Sequence, residues 1–233
     1  MTVQTKPIDV YYAGTPNGHK VTIMLEELGV AYDVKFIRIG RGDQFKPEFL
    51  AISPNNKIPA IVDPEGPDGQ PISVFESGAI LKYLGLKFGK FYPTDMRAQV
   101  KVDEWLFWQV GGFGPMLGQN NHFNRYAPEK IPYAIKRYGD EAHRLYRVLD
   151  TQLRGKEFIA GDYSIADMAT IGWSNGYGNH GIDIAEFPDF AAWRDRINDR
   201  PAVKRALAIK TPPEQETNAA TDKAAQSVLF NQR

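Results

Sequence analysis

The run from Ser53 to Ile80 constrains the fold of this chain more than any other stretch. A polar turn at Asn55, Asn56 and Lys57 leads into the apolar residues Ile58 to Val62, with Pro59 where a strand should begin. A strand start is one of the few places where a sheet accepts proline, because the missing N–H there breaks no ladder. A turn holding Pro64, Gly66, Pro67 and Gly69 follows, then a second strand, Ile72 to Phe75, so the pair reads as a hairpin. Phe75, Glu76, Ser77, Gly78, Ala79 and Ile80 then open a helical apolar pattern that runs to about Phe88. A carboxylate and a hydroxyl thus stand beside the positive end of a helix. Such a place can anchor a zwitterion, its carboxylate against the helix amides and Ser77 and its ammonium against Glu76. Serine before a helix is more often an ordinary cap, and on these residues alone the cap is the better reading.

The elements around this stretch place it in a sheet. Ile8 to Tyr12 is a short β-type run, and Val21, Met24, Leu25 and Leu28 recur at helical spacing after Thr15 and Pro16, which suit an N-cap and a first helical position. Gly29 closes that helix, Tyr32 to Ile39 reads as a second strand, and a short helix is expected around Pro47 to Leu50. The order β-α-β-α-β-β-α predicts a mixed sheet covered by helices. After Pro93 long helical patterns take over, through Val102, Trp105, Leu106 and Gln109, then Tyr138, Ala142, Leu145, Leu149 and Leu153. The expected division is 1–92, 93–210 and a tail at 211–233.

Within the helical half, Gly111, Gly112, Gly114 and Pro115 read as a break before a loop from Gln119 to Pro132. No strand precedes those glycines, which argues against a dinucleotide loop. Ser164 and Asp167 have capping-box spacing, so Asp167 reads as a cap rather than a catalytic acid. Pro188 and Pro201 each predict a short helix beyond them. The tail is polar and expected to be loosely ordered, apart from Val228, Leu229 and Phe230, which have the character to dock.

Composition removes several functions. Lys plus Arg equals Asp plus Glu, 28 each, so no global field recruits nucleic acid or an anionic membrane. No apolar run approaches a membrane span, and the polar stretch Met1 to Pro7 has no signal-peptide core, so a cytoplasmic location is expected. His19, His122, His143 and His180 have no ligand spacing, and no metal is expected. Cysteine is absent altogether, so any thiol chemistry must use a sulfur that arrives with a ligand.

An Ile-Pro strand, a Glu-Ser helix start and a Ser/Asp capping box in an all-helical half together resemble the glutathione transferases. The likeness extends to about Lys210. More narrowly, Thr15 to Lys20, Ser53 to Ile61, Phe75 to Ile80, Trp105 to Gln119 and Ile131 to Arg137 resemble the bacterial nu class. The resemblance implies a thioredoxin-like α/β domain with a mixed four-stranded sheet, followed by an all-α C-terminal domain. It also implies a homodimer, with Trp105 to Gln119 near the subunit contact and the cleft.

In that fold Pro59 would follow a cis bond, and the Ile58 backbone would pair in a β-like way with the cysteinyl part of glutathione. Glu76 and Ser77 would hold its γ-glutamyl end, with Gln44 and Lys57 as further polar contacts; Lys57 reads equally well as a solvated lysine. The start of the first helix would steady the thiolate, which is the nucleophile. The Thr15 hydroxyl can cap that helix and still donate to a sulfur, and the Asn17 amide offers a second donor. Tyr11 and Tyr12 sit where tyrosine-type transferases carry their activating hydroxyl, but read better as packed strand aromatics. Arg137 would clamp a carboxylate of a second glutathione, or is simply a charge on a solvated helix face.

The activity implied is glutathione-dependent reduction of small disulfides, with reduced glutathione or its disulfide as co-substrate and every sulfur supplied by ligands. Two readings stand beside it: conjugation of glutathione to electrophiles, and glutathione binding by a non-catalytic regulator.

Overall fold

The computed structural model describes residues 4–212 and 222–230. The described residues form two compact units, one from 4–88 together with 205–212 and 222–230, the other from Gly89–Lys204.

The first unit is α/β and thioredoxin-like. Its elements are β1 (Ile8–Tyr12), α1 (Pro16–Leu28), β2 (Tyr32–Phe36), α2 (Pro47–Leu50), β3 (Ala60–Asp63), β4 (Ile72–Phe75) and α3 (Ser77–Phe88). The sheet order is β2-β1-β3-β4, with β1 parallel to β2 and antiparallel to β3, and β4 antiparallel to β3. Alternation sets the faces of β1, where Ile8, Val10 and Tyr12 are buried. Helices α1 and α3 pack on each other, with Val21, Met24 and Leu25 of α1 and Ile80, Leu81 and Leu84 of α3 buried. Gly18 permits the close approach of α1 to the end of β1. A Cβ there would lie 2.3 Å from the Ala13 carbonyl oxygen and 3.0 Å from the Tyr12 ring.

Three expectations for this unit change. Strand β2 stops at Phe36, not Ile39, because the chain turns through a 3₁₀ segment, Ile39–Arg41. The Asp43 carboxylate holds that turn by accepting the Arg38 backbone N–H at 3.2 Å and Arg38 Nε at 2.7 Å. Strand β3 begins at Ala60, opposite Phe75, so Pro59 lies just ahead of the ladder. The tail contains a helix, α10 (Lys223–Phe230), where docking is expected of Val228, Leu229 and Phe230 alone; 213–221 and 231–233, for which loose order is expected, lie outside the described residues. It packs on the Ile39–Arg41 turn with Ala225 buried, and Asp222 lies 3.8 Å from Arg41 Nη2.

The second unit is all helical. It contains α4 (Met96–Trp108), α5 (Gly114–Asn121), α6 (Pro132–Leu153), α7 (Ile165–Ser174) and α8 (Pro188–Asn198), with α9 (Pro201–Leu207) following. The expected break at Gly111 to Pro115 is a π-helical turn, Gln109–Phe113, that leads straight into α5. A second π turn, His122–Tyr126, shortens the expected loop to residues 127–131. Packing explains the first departure: a Cβ on Gly114 would meet Gln109 Nε2 at 2.9 Å and Trp173 Nε1 at 3.1 Å, so glycine serves close approach rather than termination. The capping box forms as expected. Asp167 accepts the Ser164 N–H at 3.0 Å, and its other oxygen accepts the Ile159 N–H and Trp193 Nε1 at 3.0 and 2.8 Å. No helix among the described residues is long and apolar enough to cross a membrane.

Candidate functional site

An open cleft of about 210 Å³ lies in the first unit. Asn17, in the first turn of α1, forms one wall. The loop before β3 contributes Ser53, Asn55, Lys57, Ile58 and Pro59, and the junction of β4 with α3 contributes Phe75, Glu76 and Ser77. Of the sequence-based candidates, Asn17, Lys57, Ile58, Glu76 and Ser77 therefore meet around one space.

Local chemistry shapes each wall. The buried Ser53 hydroxyl donates to the Lys57 carbonyl at 2.8 Å and ties the loop together, and the Ile58–Pro59 peptide that follows is cis. Glu76 has φ +68°, a left-handed conformation that an L side chain seldom adopts and that recurs at functional sites. Asn55 Nδ2 donates to its Oε1 at 3.2 Å. Ser77 is the first residue of α3, so the cap position falls on Glu76, one residue earlier than the sequence suggests. The Ser77 hydroxyl instead meets Lys20 Nζ at 3.2 Å.

Sequence reasoning missed Lys20. The residue is 1% exposed, and burial pulls its pKa down to about 7 against the opposing field of Glu76. Its signal was available: Lys20 stands three residues after Asn17 and four before Met24, on the face of α1 that packs inward.

The remaining candidates are placed as follows. Thr15 caps α1, its Oγ1 accepting the Gly18 N–H at 3.1 Å from extended backbone. Tyr12 is fully buried with its hydroxyl 3.2 Å from His19 Nδ1, and burial pushes its pKa up to about 12. That shift is opposite to what a sulfur-activating phenol needs. Tyr11 packs 6.0 Å from the Phe49 ring. Gln44 is buried in the turn after β2, outside the lining of the cleft; Nε2 donates to the Ile39 carbonyl at 2.9 Å, while buried Oε1 has no partner. Arg137 is an exposed residue of α6 in the second unit. It borders a shallow depression with Tyr133, Lys136, Asp140, Glu141 and Arg144, in which Lys136 pairs with Asp140 at 2.6 Å and Arg144 with Glu141 at 2.7 Å. Among the described residues, no group of three or more His, Asp or Glu side chains is placed to hold a metal ion.

The chemistry available at the cleft is polar recognition. Glu76 offers an acceptor for an ammonium, while Ser77 and the α3 amides offer donors for a carboxylate. The Ile58 backbone offers an edge for an extended peptide.

Residues 15–86 match the family model of the glutathione S-transferase N-terminal domain, and residues 130–201 match that of the C-terminal domain. The chain is 53% identical over 202 residues to the disulfide-bond oxidoreductase YfcG of Escherichia coli strain K12, covering 86% of this chain and 94% of that protein. It also resembles the crystal structure of a glutathione transferase family member from Pseudomonas fluorescens with two glutathione bound. The TM-score is 0.83 at 44% identity, with 87% of this chain and 93% of that one covered. A glutathione transferase from Pseudomonas putida, with one glutathione disulfide bound per subunit, gives a TM-score of 0.84 at 39% identity, covering 90% and 94%.

Proposed function

This chain belongs to the glutathione S-transferase family, and from that premise we propose that it is a glutathione-dependent disulfide-bond oxidoreductase acting on small disulfides. The observation that carries the proposal is that the chain contains no cysteine, yet has a cleft suited to a γ-glutamyl peptide. The sulfurs are then all supplied by ligands. The thiolate of one glutathione attacks a sulfur of the substrate disulfide, a new S–S bond forms as the old one breaks, and one substrate thiolate leaves. A second glutathione attacks the mixed disulfide, releasing the second substrate thiol and glutathione disulfide, so two glutathione molecules are oxidised as one substrate is reduced.

In this proposal Thr15 and Asn17 donate to the reacting sulfur at the start of α1, where the helix dipole favours an anion. The Ile58 backbone pairs with the cysteinyl residue, Glu76 and Ser77 hold the γ-glutamyl end, and Lys57 faces the same cleft. Gln44, whose Oε1 is unpartnered, is assigned a polar contact to the tripeptide, and Arg137 a carboxylate of the second glutathione. The proposal gives the thioredoxin-like domain to residues 1–92, the helical domain to 93–210 and the tail to 211–233.

The finer placements belong to the same proposal: the nu class, a cytoplasmic location and a homodimer. Exposed apolar side chains on α4, Met96 at 76%, Val100 at 49% and Phe107 at 63%, support association through that helix. Turnover of a model disulfide with glutathione, coupled to a recycling reductase, tests the activity. Rapid turnover that falls in Thr15→Ala and Asn17→Ala supports it, and a rate equal to uncatalysed exchange discards it.

A further inference from the structure

We propose that Lys20 is a positioning residue of the glutathione cleft: from beneath Ser77 it fixes that hydroxyl as a donor and selects for a carboxylate at the start of α3. This inference rests on the glutathione reading above and extends it to a residue outside the cleft lining.

Geometry carries the argument. Lys20 is almost fully enclosed, and Ser77 Oγ is one of its partners at 3.2 Å. An ammonium has donors and no acceptor, so in this contact Ser77 must accept. A hydroxyl has one hydrogen, and with its lone pair engaged from below, that hydrogen remains to donate into the cleft that Ser77 lines. The matching ligand group is an acceptor. Ser77 also opens α3, a twelve-residue helix whose first-turn amides point the same way, so donors and positive charge converge on one spot.

A lysine held in such a position is costly, because burial disfavours its charged form. Its pKa of about 7 agrees with that, and Glu76 is the neighbour whose field opposes the loss of charge. An arriving carboxylate adds to that field and favours the ammonium. The arrangement therefore discriminates by charge: Glu76 meets a ligand ammonium at the surface, while Lys20 favours the adjoining carboxylate from within. A mere strut between α1 and α3 would need only an apolar side chain of similar length.

The test is calorimetric titration with S-methylglutathione and with its analogue in which the γ-glutamyl α-carboxylate is a carboxamide. Wild type, Lys20→Met and Lys20→Gln are compared after thermal melts establish that each is folded. Wild type should prefer the carboxylate by at least about tenfold, as expected for a charge-assisted contact. Lys20→Met should bind S-methylglutathione about tenfold more weakly, yet bind the carboxamide within about threefold of wild type, so that the preference collapses. Lys20→Gln retains length and a donor without the charge; it should also lose the preference, and it decides the matter if Lys20→Met does not fold. Equal weakening for both ligands, or an intact preference in a folded variant, overturns the role of Lys20 while leaving glutathione binding in place. A wild type that binds neither ligand overturns the glutathione reading itself.

Discussion

Replacing Thr15 with alanine removes two interactions that can be measured apart. Its Oγ1 accepts the Gly18 N–H at 3.1 Å, and losing such an N-cap costs about 1 kcal/mol, or about 2–4 °C in Tm for a protein of this size. The hydroxyl hydrogen is not used by the cap, because the backbone N–H is the donor there. Given to a thiolate, that hydrogen makes a charge-assisted bond worth about 1.5–3 kcal/mol. At 1.36 kcal/mol per factor of ten, its loss lowers kcat/KM by roughly 10- to 150-fold. The same energy raises the apparent pKa of the bound glutathione thiol by about 1–2 units. Thr15→Ser keeps both interactions and should stay close to wild type, whereas Thr15→Val keeps the shape but loses both. The assay is disulfide turnover beside an ultraviolet pH titration of bound thiolate. If Thr15→Ala melts lower but loses less than about threefold in kcat/KM, and the thiol pKa does not move, Thr15 is a cap and nothing more.

Other perturbations probe the frame around the cleft. The Arg38 guanidinium beside Asp43 holds its carboxyl well below the usual range, so this stabilisation is present above the ordinary carboxylate pKa and lost as pH falls through the depressed value in the folded state. Asp43→Asn should cost about 1 kcal/mol at neutral pH, discounted because Arg38 and Lys46 are about half exposed, and should flatten the acid limb of the stability profile. Gly18→Ala drives a Cβ against the Ala13 carbonyl oxygen and should cost about 1–3 kcal/mol by urea unfolding; a neutral result would refute the close approach of α1 to β1. Trp193→Phe leaves the fully buried Asp167 without one donor and should cost about 1–3 kcal/mol in the same assay. Ending the chain after Pro212 removes α10 and should speed amide exchange at residues 39–45; unchanged protection would mean that the helix does not hold that turn.

Local signals that agree with one another made most of the first unit legible. Strand β4 and helix α3 carry their own period, and the Thr-Pro start and Gly29 stop of α1 use chemistry within one turn of the chain. The misread segments are those where a distant partner outweighs the local pattern. The stretch from Tyr32 to Ile39, apolar and charged residues in near alternation, looks like one strand until Asp43 draws Arg38 into a turn. The glycines from 111 to 114 look like a break until Trp173 is found against Gly114. The polar tail hides a helix because its anchor, the turn at Ile39–Arg41, is far away in the chain.

For the candidate site the division is similar. Residue chemistry at a helix start was enough to nominate Glu76 and Ser77, the resemblance to the glutathione transferases added Asn17, Lys57 and Ile58, and the missing cysteine pointed to a borrowed sulfur. Folding alone could supply the rest: the left-handed turn at Glu76, and the partner of the buried Lys20 ammonium, a serine 57 residues away. The reason is range. Periodicity and capping act within a turn or two of backbone, whereas burial and the partner of a buried charge depend on which remote segments the core brings together.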